Sequence, residues 1–356
     1  MSSQWRYFTM RVLLMIPVLF LVMTMVFLIL RLGPLDPVAA ILGPEAGAGS
    51  AEDIRERLGL NEPLWRQYLD FMWTLLSFDL GQSWVIQQGL STRELVAARA
   101  PRTIWLGLWS IMLPLFVGVP LGFYAGLNSN SLGDYFASFM GIVWQAMPNF
   151  WLGIMVLAVL RQTTPGGQFD ILPNWYELGP STQSLLGTPD LGFMSIHYLT
   201  VVPIPVGFDV IGFLTAIKQI APAAFVLGSA LMVTEMRIGR TATLEQVNSN
   251  YVETAKAKGL RGRTIVWKHI FRNAMIPMLP VMFSEIGVLI GGSVIIEEVF
   301  AINGLGRLFF QAVLQNDMPL AGSLVFVFTI IALVFKILED FLYTVIDPRV
   351  GFEGEQ

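Results

Sequence analysis

Six stretches of more than twenty mostly apolar residues recur along this chain, at about 9–30, 103–127, 136–160, 210–233, 274–296 and 321–346. An α-helix rises about 1.5 Å per residue, so roughly 20 such residues match a hydrocarbon core of about 30 Å. In lipid the backbone must satisfy its own hydrogen bonds, which leaves helices as the way for stretches of this length to cross. The expected fold class is therefore an all-α membrane protein with six transmembrane helices. Composition agrees, since 54% of the 356 residues are hydrophobic and only 13% charged, with a mean hydropathy of +0.62. The first apolar run follows a basic start (Arg6, Arg11), is longer than a signal-peptide core and has no small-residue cleavage pattern, so it reads as a retained membrane helix. Pro114, Pro120, Pro148, Pro222 and Pro280 lie in or near the spans and predict kinked helices.

Several chemistries are excluded early. A net charge of −4 offers no basic excess for nucleic acid. With no cysteine there is no disulfide, thiolate metal site or cysteine nucleophile, and His197 and His269 alone do not make a His-rich metal site.

Orientation follows from the loop at 236–273, which carries Arg237, Arg240, Lys256, Lys258, Arg261, Arg263, Lys268 and Arg272 against Glu245 and Glu253. Basic residues flanking spans are kept cytoplasmic, so this loop and both termini are expected inside and 161–209, whose one basic residue is Arg161, outside. The turn at 128–134 would also be inside, although it has no basic residue. The chain then divides into 1–31 with the first span, an extracytoplasmic cap segment at 32–102, a transmembrane core at 103–350 and a tail at 351–356. In the cap segment, 51–58 and 64–78 show helical apolar spacing with Pro63 between them. They either cap the outer surface or rest on the bilayer. The Gly- and Pro-rich stretch 161–209 has no clear period and is expected to be an irregular external loop, and no internal repeat appears.

The most informative stretch is NYVETAKAKGLRGRTIVWKHIFRNAMIPMLP, 250–280. Good helix formers at 251–258 are stopped by Gly259, and a second helical stretch at 263–274 leads into the fifth span. A helix-turn-helix projecting from the bilayer can enter a groove on a cytoplasmic partner and pass a displacement to the spans behind it. A generic basic loop could equally anchor to anionic lipid. Glu253, Ala255 and Gly259, however, have the spacing of the loop by which importer permeases engage their ATPases. The segment 251–260, with His269, Arg272, Asn273, Ala274 and Pro277, resembles the version found in permease subunits of the dipeptide, oligopeptide and nickel class of ABC importers. The resemblance continues at 11–17 (RVLLMIP), Asp36-Pro37, 79–83 (DLGQS), 101–107 (PRTIWLG), 147–151 (MPNFW), 297–300 (EEVF), 304–306 (GLG), 317–319 (DMP) and 347–349 (DPR). Leu35, Thr254 and Asn303 depart from the family's usual Gly, Ala and Pro, and the external loop is longer than usual.

The resemblance implies a type I ABC importer permease fold in which Tyr251, Glu253, Ala255, Lys258 and Gly259 form the ATPase-coupling element. It implies a second homologous permease, two ATPase subunits and an extracytoplasmic solute-binding protein as partners, besides membrane lipid. ATP and Mg would be bound by the ATPase subunits, with no cofactor or metal in this chain. Cargo in such families is peptide, nickel or oligosaccharide. Independently, no GxxxxGK[ST] loop is present to cradle phosphates.

Glu285 is the sharpest single residue within the spans. A carboxyl at membrane depth either faces a pathway or is a protonated group bonded to a neighbouring helix. Gly287, Gly291 and Gly292 are expected to permit close helix approach. Lys336 is spaced to pair with Glu339 or Asp340. Trp144, Phe150 and Trp151 read as an aromatic belt or core packing, with substrate stacking the alternative. A secondary transporter would show paired halves, and a membrane enzyme a catalytic cluster. No HExxH, GxSxG or paired intramembrane acids stand out along the sequence.

Overall fold

A computed structural model describes residues 3–32, 37–42, 48–162, 168, 191–192, 194–199 and 202–346. Its helices are α1 (Ser3–Leu32), α2 (Pro37–Leu42), α3 (Ala48–Arg57), α4 (Leu64–Leu76), α5 (Thr92–Leu113), α6 (Val119–Leu127), α7 (Leu132–Gln145), α8 (Asn149–Arg161), α9 (Val210–Val247), α10 (Asn250–Ala257), the single turn α11 (Gly262–Thr264), α12 (Arg272–Val299), α13 (Leu305–Leu314) and α14 (Met318–Ile346). Two π-helical stretches interrupt them, Pro114–Gly118 between α5 and α6 and Ile265–Phe271 before α12. Proline explains the first: Pro114 and Pro120 supply no N–H, so the ladder widens locally instead of breaking.

Among the described residues, four helices are long and apolar enough to cross a membrane: Thr9–Leu32, Thr92–Leu127, Val210–Val247 and Met318–Leu342. The expected third span is not one rod, because α7 and α8 meet at a bend of 98°. Pro148 sits at the break as the N-cap of α8 with an extended backbone, which ends α7 and re-aims the chain. α12 adds a 28-residue helix.

Contacts give the running directions. α5 through α6 and α9 lie side by side and parallel, since Trp105 Nε1 donates to Ala216 O while Gly118 meets Met232 and Gly126 meets Thr243. α12 runs against them, with Met278 beside Gly239 and Phe300 packed near Val226. α14 runs back beside α1, with Phe326 on Met23 and Asp340 near Arg11 at 3.6 Å. The chain thus has a basic end, holding the 128–131 turn and α10, and an opposite end, holding the 77–91 loop and α13. Both described termini of the bundle, at Ser3 and Ile346, point to the basic end.

Arg240 of α9 forms a two-pronged pair with the buried Asp134, at 2.5 and 2.7 Å. This ties the 128–134 turn, which has no basic residue of its own, to the basic end. The apolar core lies between α5, α9 and α12, around Leu106, Ile220, Val226, Ile296 and Ile302. Trp144 packs there against Phe225, whereas Phe150 and Trp151 are exposed.

α4 begins after Pro63, as expected, and buries Met72 and Leu75 against α1 and α14. The irregular loop expected at 161–209 is corrected at 194–208, where an antiparallel hairpin pairs β1 (Met194–Leu199) with β2 (Val202–Phe208). Val202, Ile204 and Val206 alternate with Pro203, Pro205 and Gly207, a period of two that the Gly/Pro content obscures. Most of the remainder of that loop, Asp36, the 347–349 motif and the 351–356 tail lie outside the described residues.

Candidate functional site

The basic end carries the candidate site. α10 starts after Ser249, whose backbone is extended and whose Oγ donates to Gln246 O at 2.6 Å. Val252 and Ala255, three positions apart, are buried together against Phe123 of α6 and Ile265 and Ile270 of the π-helical stretch. Tyr251 Oη donates to Gln246 Oε1 at 2.8 Å, fixing the helix against the end of α9. The helix ends in a paired return, Gly259 N–H to Lys256 O at 2.9 Å and Leu260 N–H to Ala255 O at 3.2 Å, the closure that requires a left-handed residue. Gly259 supplies it with φ +71°. A Cβ there would meet nothing within 4 Å, so its requirement is one of backbone conformation and not of space.

The sequence-selected residues therefore divide. Ala255 faces inward and Tyr251 is half-buried, while Glu253, Lys258 and Gly259 are exposed beside Thr254, Lys256 and Leu260. The result is a short helix with a buried seam and a charged outer face. Its seam touches three elements at once, because Phe123 also stacks edge-on with Phe271 at 5.0 Å, just ahead of α12. The seam of α10 is thus packed at once against α6, the end of α9 and the stretch that leads into α12.

Glu285 lies deep in the bundle, 6% exposed, and meets Glu235 of α9, which is 0% exposed. No paired acids stand out along the apolar stretches of the sequence, and the fold corrects this by bringing these two together. The two stand on separate helices far apart in the chain, and Glu235 falls at the edge of the basic loop, so no local pattern joins them.

At the opposite end two buried carboxylates hold the chain together, and they account for several of the family landmarks. Glu297 accepts from Thr103 Oγ1 at 2.8 Å and from Arg307 N–H at 2.9 Å, and Leu305 N–H donates to Thr103 Oγ1 at 2.8 Å. It caps the start of α13 and locks it to α5 and α12. Asn303, where the family usually has Pro, accepts from Arg99. Asp317 accepts from Ser83 Oγ at 2.5 Å, from Trp84 N–H at 3.0 Å, from Val85 N–H at 3.0 Å and from Ile86 N–H at 3.1 Å. EEVF with PRTIWLG, and DLGQS with DMP, are thus the two halves of two clamps.

Gly287, expected to permit close helix approach, has open space beside it. The approach is made by Gly118, Gly122 and Gly126, where added Cβ atoms would strike Met232 O, Met236 O and Thr243 on α9. Their spacing of four residues is a small-xxx-small pattern legible in the sequence.

Comparison with known proteins bears on what this arrangement serves. The family model described as binding-protein-dependent transport system inner membrane component matches residues 118–352, and the model of its N-terminal membrane component matches 4–87. The chain belongs to this family. The permease is 30% identical to the oligopeptide transport system permease protein AppB of Bacillus subtilis (strain 168), over 97% of this chain and 99% of that protein. It is 32% identical to the dipeptide transport system permease protein DppB of Alkalihalophilus pseudofirmus, over 96% and 98%. It is 31% identical to the di/tripeptide transport system permease protein DppB of Pseudomonas aeruginosa, over 95% and 96%. It is accordingly the membrane permease component of a peptide-family ABC importer, and not itself an ATPase.

Proposed function

We propose that α10 with the 258–260 turn is the element through which an ATPase subunit drives this permease, and that peptides are the cargo. The observation that carries the reading is the split of α10 into a seam buried against α6, α9 and the approach to α12, and an exposed face bearing Glu253, Lys258 and Gly259. A docking helix needs both, one face to meet the partner and one to transmit its movement. The relatives' names support peptides as cargo.

In this reading the permease spans the membrane six times with both termini cytoplasmic, and assembles with a second homologous permease, two ATPase subunits and an extracytoplasmic solute-binding protein. The positive-inside rule and the running directions of the helices support it. A groove of about 410 Å³ on the basic half, bordered by Gln145, Thr234, Arg237, Thr241 and Pro277, lies between α7, α9 and α12. Glu285 reaches the pathway when α9 and α12 separate, where its charge favours cargo with an ammonium group.

The test uses two substitutions in the assembled importer. Gly259→Val opposes the left-handed backbone by about 1 kcal/mol or more. Glu253→Lys reverses a charge at the docking face. Both variants are expected to insert normally but to lose ATPase co-purification, or cargo-stimulated hydrolysis, together with uptake. Undiminished hydrolysis and uptake in both would remove α10 from the coupling role.

A further inference from the structure

Glu235 and Glu285 present a problem in hydrogen bonding. As carboxylates both are acceptors only. Yet Glu235 Oε1 and Oε2 and Glu285 Oε1 find no N–H or O–H donor among the described residues, and the two side chains face each other. On the same helices, Leu115 of the π-helical stretch packs with Val119, Met278 and Met282 in an apolar cluster. A Cβ at Gly118 would stand 3.3 Å from Glu235 Cβ, so α5 to α6 presses on the pair with backbone and offers no polar group.

Nor, among the described residues, does a cation reach the site. Arg240 of α9 is taken by Asp134, Arg237 by Gln145 and Lys336 of α14 by Glu339. Glu297 of α12 is held by Thr103 at the other end, and Arg272 lies roughly 20 Å down α12 at 1.5 Å per residue.

Two like charges in such a place repel strongly, whereas one proton placed between them turns an acceptor–acceptor contact into a hydrogen bond. We propose that Glu235 and Glu285 form a proton-binding site that fastens α9 to α12, with one exchangeable proton held between the two carboxyl groups. The site does not depend on Glu285 ever facing the pathway, so it stands or falls apart from the coupling and cargo readings.

Its consequence for pH has a definite sign. The folded permease would hold at neutral pH a proton that the unfolded chain has released, so stability falls as pH rises. The slope approaches a tenfold change in the folding equilibrium per pH unit while one proton is at issue.

The experiment compares the full permease in nanodiscs with Glu235→Gln, Glu285→Gln and the double variant, each of which keeps side-chain size. Infrared spectra at neutral pH should show in wild type the carbonyl stretch of a protonated carboxylic acid that is missing from the double variant. Melting temperature should fall between about pH 6 and pH 9 in wild type and lose that component in the double variant. Two results would overturn the proposal. One is a wild-type spectrum without the protonated band and with a flat pH response. The other is a melting temperature that responds to sodium, potassium or calcium at fixed pH and not to pH itself, which would make the occupant a metal cation. Should the double variant fail to fold, the wild-type band and pH response still decide the matter.

Discussion

Asp317 shows what a single carboxylate can organise. Itself buried, it takes the buried Ser83 hydroxyl and three successive, half-buried backbone N–H groups of the 84–86 turn, and thereby pins the segment following α4 to the start of α14. Hydrogen bonds to a charged acceptor contribute roughly 1.5–3 kcal/mol each, and a buried donor left unmatched costs a comparable amount. Asp317→Asn sets an amide NH₂ among donors and is expected to destabilise the permease by about 2–4 kcal/mol. Ser83→Ala, which removes one donor and leaves the backbone three, should cost about half as much. Thermal unfolding followed by size-exclusion fluorescence checks the order, and equal effects would show that Asp317 is not the centre of the clamp. Lys336, by contrast, pairs with Glu339 at 2.9 Å on an exposed helix face, as its spacing predicts, and such a pair contributes little.

At the scale of elements, α6 approaches α9 so closely that backbone meets backbone. With Gly118, Gly122 and Gly126 in line, van der Waals contact replaces the hydrophobic drive that is missing between helices in lipid. Gly122→Val is expected to force the pair apart at a cost of roughly 1–3 kcal/mol or more, seen as lost yield of folded permease. Gly287→Ala on α12 meets open space and removes a helix-interior glycine, so it should be neutral or stabilising by up to about 1 kcal/mol. A reversed order of yields would refute the assignment of the contact. The break between α7 and α8 belongs to this scale as well. MPNFW reads locally as a proline interruption, but the 98° angle comes from what each half packs on, with Gly141 against Met236 and Gly153 against Phe300.

For the whole molecule, the test is sidedness. The chain has no cysteine, so single cysteines report without background. Gln88→Cys in the 77–91 loop and Asn248→Cys beside α10 are both at exposed positions and stand at opposite ends of the bundle. A membrane-impermeant thiol reagent applied to intact cells should label the first and reach the second only after permeabilisation. Labelling of both from outside would refute the six-span orientation. The arrangement has mechanical meaning too, because the clamps at Glu297 and Asp317 stiffen one end while α10 projects from the other. In the proposed coupling, movement driven at α10 would pivot against the clamped opposite end.

The sequence by itself determined the membrane class, most of the long apolar helices and the helix-then-glycine form of the 250–260 segment, because those rest on local quantities: apolar run length, loop charge and a glycine after a helix-forming stretch. The φ of Gly259 and the Lys336–Glu339 pair were legible for the same reason, involving residues within a turn of each other. What only the tertiary structure decided were the relations between distant residues. The meeting of Glu235 with Glu285, the junction of Thr103 with Glu297 and of Ser83 with Asp317, and the inward turn of Ala255 all depend on which helix faces which. In a chain where nearly every span is apolar on all sides, periodicity does not mark the buried face. Backbone approach and the few polar side chains choose the neighbours instead.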